Sequence, residues 1–459
     1  MPASFIHLPS SYRDPSGYVF EKNGIIYRQV NKIFSEDFDF FISGGCYDAL
    51  VKKNMLIPHE TIHENLTGDE NWHVTLKPQR VGFITYPFEW SFNMLRDAAL
   101  LTLQLLKEGI EWGMILKDAT PYNIQWHEGK LVLIDSLSFE KYDESTPWIA
   151  YRQFCENFLS PLLLAHYSKH PVQELLLAYP EGIPLGLTSK FLPRRTKFNL
   201  HVYLNIHLHA KYSAREPKGE NKKIQFSKKK LLNLVSSLET SINKLNLPDI
   251  TSTWSAYYDE ASQRSGYYEE KIKVVVKWLG QVNPLDSVAD LGANTGEFSK
   301  LADTKTSVLA ADFDPWCINK LYREIKTGGI TNILPIILDL SRPSPSFGVN
   351  NIERDSFINR VKVDLCLALA LVHHLAIGKN IPFTQIAFFF QQVCRHLLVE
   401  FIPKSDEKVK LMLKDKKDIY PDYNEENFLL AFQKYFTVTS KQEVGQSGRI
   451  LYLMQKNER

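Results

Sequence analysis

Residues 288–298 read Val-Ala-Asp-Leu-Gly-Ala-Asn-Thr-Gly-Glu-Phe. An apolar run beginning at Ser287 meets an acidic residue, Asp290. Gly292 and Gly296 then bracket a tight turn before a helix-compatible segment, 297–301. In physical terms this is a strand ending in a carboxylate, followed by a loop whose backbone can lie flat against a ligand because two of its residues carry no side chain. The spacing is not Gly-x-Gly-x-x-Gly, which disfavours a nicotinamide dinucleotide.

Outward from this stretch, the second half of the chain alternates strand-like and helix-like segments, the pattern of a parallel sheet covered by helices. Residues 271–279 read as a helix, and 287–290, 307–311, 332–338, 363–368 and 397–401 as five strands. Residues 436–440 and 449–454 read as a closing hairpin around Gly445-Gln446-Ser447-Gly448. In such a sheet a ligand lies across the carboxyl ends of the strands. Asp312 follows Asp290 at the ~20-residue distance where a doubly wound fold places the carboxylate for two ribose hydroxyls. Asp339, after the third strand, can accept from an adenine amino group, and Asp290 can reach an ammonium directly or through water. Three carboxylates at successive strand ends suit a cationic ligand that carries a nucleoside and an amino acid, and they would repel a polyphosphate. Capping the following helices is the plainer use of any one of them. All three together with the glycine loop favour the ligand.

Four motifs then carry a resemblance. Residues 288–296, Leu-Ala-Ala-Asp-Phe-Asp-Pro (309–315), Ile-Leu-Asp-Leu-Ser-Arg-Pro (337–343) and Val-Asp-Leu-Cys-Leu-Ala-Leu-Ala-Leu-Val-His-His-Leu (363–375) resemble motifs one to four of class I S-adenosylmethionine-dependent methyltransferases, with Asn294 in place of a glycine. More narrowly, residues 398–406, 419–428 and 448–454 resemble a bacterial family, the nodulation protein NoeA-like methyltransferases. The resemblance implies a Rossmann-like α/β domain with a seven-stranded sheet whose last strand runs antiparallel. It also implies S-adenosyl-L-methionine as cofactor, held by Asp290, Gly292, Asn294, Gly296, Asp312, Asp339 and Ala368.

The acceptor side is less defined. His373 or His374, after the fourth strand, could deprotonate an acceptor; the plainer roles are packing against the cofactor loop and capping a helix. Glu400, with Lys404 and Asp406 behind it, is a candidate for orienting the acceptor. Trp254, Tyr257, Tyr258 and Tyr267 offer aromatic faces to a sulfonium or planar acceptor, or dock a helix on the sheet. Tyr420-Pro421-Asp422-Tyr423 reads as a turn over the cleft. Transfer would be direct, to an oxygen or nitrogen nucleophile, and metal-independent. The competing class is a protein that senses the cofactor or binds a partner without turnover.

At 459 residues the chain predicts two domains. Residues 211–230 are polar, basic and interrupted by Pro217 and Gly219, as in an exposed linker. The expected division is 1–210, the linker 211–230, and 231–459, with the boundary near residue 225. In the first domain, residues 92–110 predict a largely buried helix whose polar residues form one narrow stripe. After it, Asp118 and Asn123 have the spacing of a kinase catalytic loop, and Asp135 ends the next strand-like segment, where kinases keep a metal-binding aspartate. Residues 81–85 followed by Tyr86-Pro87 read as a strand and hinge. Segment 75–140 is therefore similar to the core of the protein-kinase-like superfamily, including choline-kinase and aminoglycoside-kinase relatives.

Departures from that pattern are clear. Leu116 stands where the usual histidine would be, Asp135-Ser136-Leu137 replaces Asp-Phe-Gly, and no glycine-rich phosphate loop is present beside the hairpin expected over 18–30. The expectation is a kinase-like scaffold without transfer activity; a kinase and methyltransferase in one chain is the third alternative. His207 and His209 would share one face if 200–210 were a strand, whereas solvated histidines on a strand or helix are the plainer reading.

Net charge is +2, from 54 basic and 52 acidic residues, which argues against a dedicated nucleic-acid binder. The five cysteines are scattered without C-x-x-C spacing, so neither zinc nor a disulfide framework is expected. The N-terminal residues lack the pattern of a signal peptide, and the longest apolar run, 365–372, is too short to span a bilayer. The expectation is a soluble cytoplasmic protein acting on an unidentified small-molecule, glycan or protein acceptor, with no membrane and no metal.

Overall fold

The computed structural model describes residues 5–213, 226–248, 250, 266–414 and 418–458. Trp254, Tyr257, Tyr258 and most of the basic stretch lie outside the described residues. The chain divides into two compact units: Met1–Pro248 with Gly348–Arg354, and Asp249–Phe347 with Asp355–Arg459. Residues 231–248, expected with the second domain, thus belong to the first. The helix Lys228–Asn243 packs its apolar face on the helix Phe92–Glu111, and Lys107 Nζ lies 3.1 Å from Glu239.

In the first unit, strands β1 (Ile6–His7), β2 (Gly17–Lys22), β3 (Ile25–Asn31), β4 (His59–Ile62) and β5 (Trp72–Pro78) form an antiparallel sheet in the order β1-β2-β3-β5-β4. The expected hairpin is present. Asn23 and Gly24, both at positive φ, make its two-residue turn. Val30, Val74 and Leu76 meet Phe34, Phe38 and Leu137 in a buried cluster. Residues 81–85 are not a strand, which corrects the strand expected there; the sheet ends at Pro78, where the ladder loses an N–H donor. The helix Phe92–Glu111 begins where the Ser91 hydroxyl accepts from the Met94 N–H. Strands β6 (Met114–Leu116) and β9 (Phe139–Lys141) then pair around the hairpin β7 (Ile124–His127) and β8 (Lys130–Leu133). Beyond these the unit is helical. Residues 200–210 form helix and not strand, so His207 and His209 do not share a strand face. No helix among the described residues is long and apolar enough to cross a membrane.

The second unit is a seven-stranded sheet of β10 (Ser287–Leu291), β11 (Ser307–Asp312), β12 (Ile333–Ile337), β13 (Val363–Ala368), β14 (Cys394–Phe401), β15 (Phe436–Glu443) and β16 (Ile450–Lys456). Their order is β12-β11-β10-β13-β14-β16-β15. The first five are parallel, and β16 runs antiparallel to both of its neighbours. The order reverses beside β10, which puts the carboxyl end of that strand at the switch point where open α/β sheets bind ligands.

Gly296 holds φ +78, and a Cβ there would sit 2.7 Å from Leu321 Cδ1, inside the packing between the loop and the helix Pro315–Gly328. Gly296→Ala is expected to destabilise this unit by ~1–3 kcal/mol, read as a lowered unfolding midpoint. An unchanged midpoint would refute the packing role.

Candidate functional site

Asp290 lies in β10, Asp312 closes β11 and Asp339 follows β12. Together with Gly292, Asn294 and Lys271 they line a cavity of about 360 Å³, the size of a small-ligand site. Asp312 accepts from the N–H groups of Asn294 and Asp314 at 2.8 and 2.9 Å. The following helix is capped by Asp314, which accepts from the Trp316 and Cys317 N–H groups, so Asp312 is not spent on capping. Asp290 accepts from the Ser299 hydroxyl at 2.6 Å. Asp339 accepts from the N–H and hydroxyl of Ser341 at 2.9 and 2.6 Å and from Arg342 Nε at 3.2 Å.

Burial pushes both the Asp290 and the Asp312 carboxyls up to about 6, a cost that a cation in the cavity would relieve. Burial would also raise Asp339, but the Ser341 and Arg342 donors and Lys379 outweigh it and hold that carboxyl below its ordinary value. The loop is tied to the end of β11 because the Gly292 and Ala293 N–H groups both donate to the Ala311 carbonyl. Asn294 stands at φ +51; asparagine is among the side chains that best tolerate this left-handed region, which lets it replace a glycine.

Of the residues expected from sequence, Asp290, Gly292, Asn294, Asp312, Asp339 and His374 line the cavity. Gly296 and Ala368 do not. Gly296 turns the loop beneath it, and Ala368 is fully buried in β13 while Leu369, Ala370 and Leu371 form the wall. His373 is also buried, its ring centre 4.0 Å from that of His374 with the planes tilted by 41°, and burial drives its pKa well below the ordinary value. Tyr420 and Tyr423 line a second cavity of about 690 Å³ with Phe383 and Asn427, not the first.

Glu400 is the main correction. It is fully buried and does not line the cavity. Its carboxylate accepts from the Tyr267 hydroxyl at 2.6 Å, Lys271 Nζ at 2.7 Å and the Ala370 N–H at 2.8 Å. It therefore braces from behind the wall residue Ala370, whose φ is +50. Burial alone would raise its pKa, but Lys271 and Arg449 outweigh this and hold it below the ordinary value. Asp406 lies behind it, paired with Arg449 at 2.8 Å, while Lys404 turns away to Asp418. Lys271 is the site residue that sequence reasoning missed. It is 2% exposed, on the apolar face of the helix Tyr267–Leu279, and its ammonium lies 4.9 Å from the centre of the Phe298 ring. A lysine interrupting an apolar stripe was the available signal.

The first unit brings Asp118, Asn123 and Asp135 into one cluster. Asn123 Nδ2 donates to Asp118 at 3.0 Å and to the Ser138 hydroxyl at 3.2 Å, and Ser138 donates to Asp135 at 2.8 Å. Burial, then the nearby Asp135, raises the Asp118 carboxyl. Arg28, on β3, lies 3.0 Å from Asp135 and 2.9 Å from Asp14. Among the described residues no group of three or more His, Cys, Asp or Glu could hold a metal ion.

The second unit is thus a Rossmann-like, doubly wound α/β domain with a small-ligand cavity at the carboxyl ends of its parallel strands. The chain belongs to the nodulation protein NoeA family: it is 32% identical over 463 residues to nodulation protein NoeA of Rhizobium meliloti (strain 1021), covering 98% of this chain and 96% of that protein. No family model matches the chain. Among solved structures it is similar to the N-methyltransferase NodS from Bradyrhizobium japonicum WM9 in complex with S-adenosyl-L-homocysteine, with TM-score 0.33 and 11% identity over 42% of this chain and 90% of that one. It is also similar to magnesium protoporphyrin IX methyltransferase from Synechocystis PCC 6803 with bound SAH, with TM-score 0.30 and 17% identity over 41% of this chain and 84% of that one.

Proposed function

We propose that the second unit is an S-adenosyl-L-methionine-dependent methyltransferase passing its methyl group directly to an oxygen or nitrogen nucleophile. The observation that carries this reading is the convergence of Asp290, Asp312 and Asp339 around one cavity with the side-chain-free Gly292. In this reading Asp312 takes the ribose hydroxyls, Asp339 the adenine amino group and Asp290 the ammonium, with Lys271 beside Asp290 for the carboxylate. The sulfonium supplies an already activated methyl group, so the chain contributes mainly positioning. His374 lines the cavity, and burial lowers its pKa to about 4. It is neutral at pH 7, suited to accepting a hydrogen bond from an acceptor hydroxyl or amine and poorly suited to keeping the proton.

For the first unit the reading is a kinase-like scaffold that recognises acceptor or partner without phosphoryl transfer. The support is Asp135, whose oxygens are engaged by Arg28, the Leu137 N–H and the Ser138 hydroxyl. That environment does not fit a magnesium ligand.

Calorimetric titration with S-adenosyl-L-homocysteine is expected to show roughly micromolar binding at one site. Ligand groups that favour ionised Asp290 and Asp312 must displace protons below about pH 6. Affinity is therefore expected to fall from about pH 7 to about pH 5, by up to ~tenfold per pH unit for each coupled carboxylate. No binding at neutral pH would overturn the methyltransferase reading, and a flat pH profile would remove these two carboxylates from the contact set.

A further inference from the structure

Between Glu181 and Glu216 the chain has no acidic residue, yet it carries Lys190, Arg194, Arg195, Lys197, Lys211 and Arg215, against a net charge of only +2 for the whole protein. The same stretch exposes large apolar side chains: Phe191 is 62% exposed, Phe198 93%, Leu200 66% and Leu204 45%. Lys190, Arg194, Arg195 and Lys197 are exposed among them. Isolated exposed apolar residues are ordinary, but several within one short basic segment are not.

The segment is built, not frayed. The helix Leu185–Phe191, the turn Arg194–Phe198 and the helical residues 200–208 pack on one another. Leu192, Val202 and Ile206 face inward and are buried. His207, also buried, links two of the pieces. Its Nδ1 is 2.8 Å from the Ser189 hydroxyl and its Nε2 is 2.8 Å from the Thr196 hydroxyl. The Asn199 side chain accepts from the His201 and Val202 N–H groups and starts the next helical turn. The apolar side chains that remain outside are therefore held outward by a satisfied interior.

We propose that this face docks on the surface of an anionic lipid bilayer. Phe198, Leu200 and their neighbours enter the interfacial layer, and Lys190, Arg194, Arg195 and Lys197 meet the headgroups. Exposed apolar side chains interspersed with cations along one segment are the composition that combines interfacial burial with attraction to anionic lipid. A second copy of the chain fits less well, since a two-fold contact would set the same cations against themselves. Nucleic acid would use the cations and stack on aromatic rings, but it gives Leu200 and Leu204 nothing to do. The expectation of no membrane rests on spanning length, which surface docking does not require.

The test is co-sedimentation of the full-length protein with phosphatidylcholine vesicles, with and without phosphatidylserine. Partitioning is expected to be at least ~tenfold stronger with the anionic lipid and to weaken in salt. Phe198→Ser with Leu200→Ser should lower it ~tenfold or more, and K190Q/R194Q/R195Q/K197Q should erase the preference for phosphatidylserine. All six positions are exposed, so both variants should keep the thermal midpoint of the parent. Equal partitioning on the two vesicle types, or variants that bind like the parent, would overturn the proposal. So would self-association lost in the serine variant, or oligonucleotide binding that depends on the cations alone.

Discussion

Asp312→Ala is expected to lower affinity for S-adenosyl-L-homocysteine by ~100-fold or more. A buried carboxylate that accepts from two ribose hydroxyls makes two charge-assisted hydrogen bonds, each worth ~1.5–3 kcal/mol. The same side chain also accepts from the Asn294 and Asp314 N–H groups, so truncation loosens the loop that lines the cavity. The effect on folding should be smaller. The Asp312 carboxyl is raised to about 6 in the folded protein, so the folded state binds its proton more tightly than the unfolded chain does. The empty protein therefore loses stability as pH climbs from about 4 through about 6. At neutral pH, removing an ionised buried carboxylate offsets part of the two lost hydrogen bonds. Calorimetry beside a thermal melt separates the two effects. A folded variant that still binds within a few fold of the parent would remove the ribose from Asp312.

The features legible in the sequence were those set by local pattern. Val363–Ala368 falls where the apolar run placed it, and the three strand-end aspartates lie on neighbouring strands because alternation of strand and helix forces parallel order. The left-handed turn at Gly292 and Gly296 was visible for the same reason: few other residues tolerate that backbone. What could not be read was anything joining distant segments. Lys271 and Glu400 form their buried pair across 129 positions, and nothing local to either residue announces the other. Glu400 therefore looked like a strand-end carboxylate available to orient an acceptor. Asp312 and Asp314 are two residues apart, and only the hydrogen bonds show that Asp314 takes the capping duty. The domain boundary was misplaced for a related reason: composition marks an exposed stretch, but packing of Lys228–Asn243 on Phe92–Glu111 decides which unit that helix joins.

Replacing Glu400 tests what holds the floor of the cavity. Two buried cations, Lys271 and Arg449, are balanced there by two buried carboxylates, Glu400 and Asp406. Glu400→Ala leaves the Arg449–Asp406 pair but takes from Lys271 its 2.7 Å carboxylate partner, and it removes the acceptor of the Ala370 N–H. Breaking a buried ionic group in this way costs ~3–5 kcal/mol, which for a unit of this size lowers the melting midpoint by roughly 6–20 °C. Glu400→Gln keeps one acceptor oxygen, enough for the Ala370 N–H or the Tyr267 hydroxyl but not for both, since they donate to different oxygens of Glu400; it also loses the charge, and it should fall between the parent and the alanine variant. The pH dependence has a definite sign. Glu400 is held below its ordinary pKa, so its contribution is complete above the usual glutamate range and is lost as pH falls through the lowered value. The gap between parent and glutamine variant should therefore persist at neutral pH and narrow only in acid, below about pH 4. Because Lys271 and Ala370 both line the cavity, affinity for S-adenosyl-L-homocysteine should drop alongside stability. A residue that contacted the acceptor would behave in the opposite way: the glutamine variant would melt like the parent and bind the cofactor product normally while turnover vanished. That outcome would return Glu400 to the acceptor side and dissolve the bracing role assigned to it.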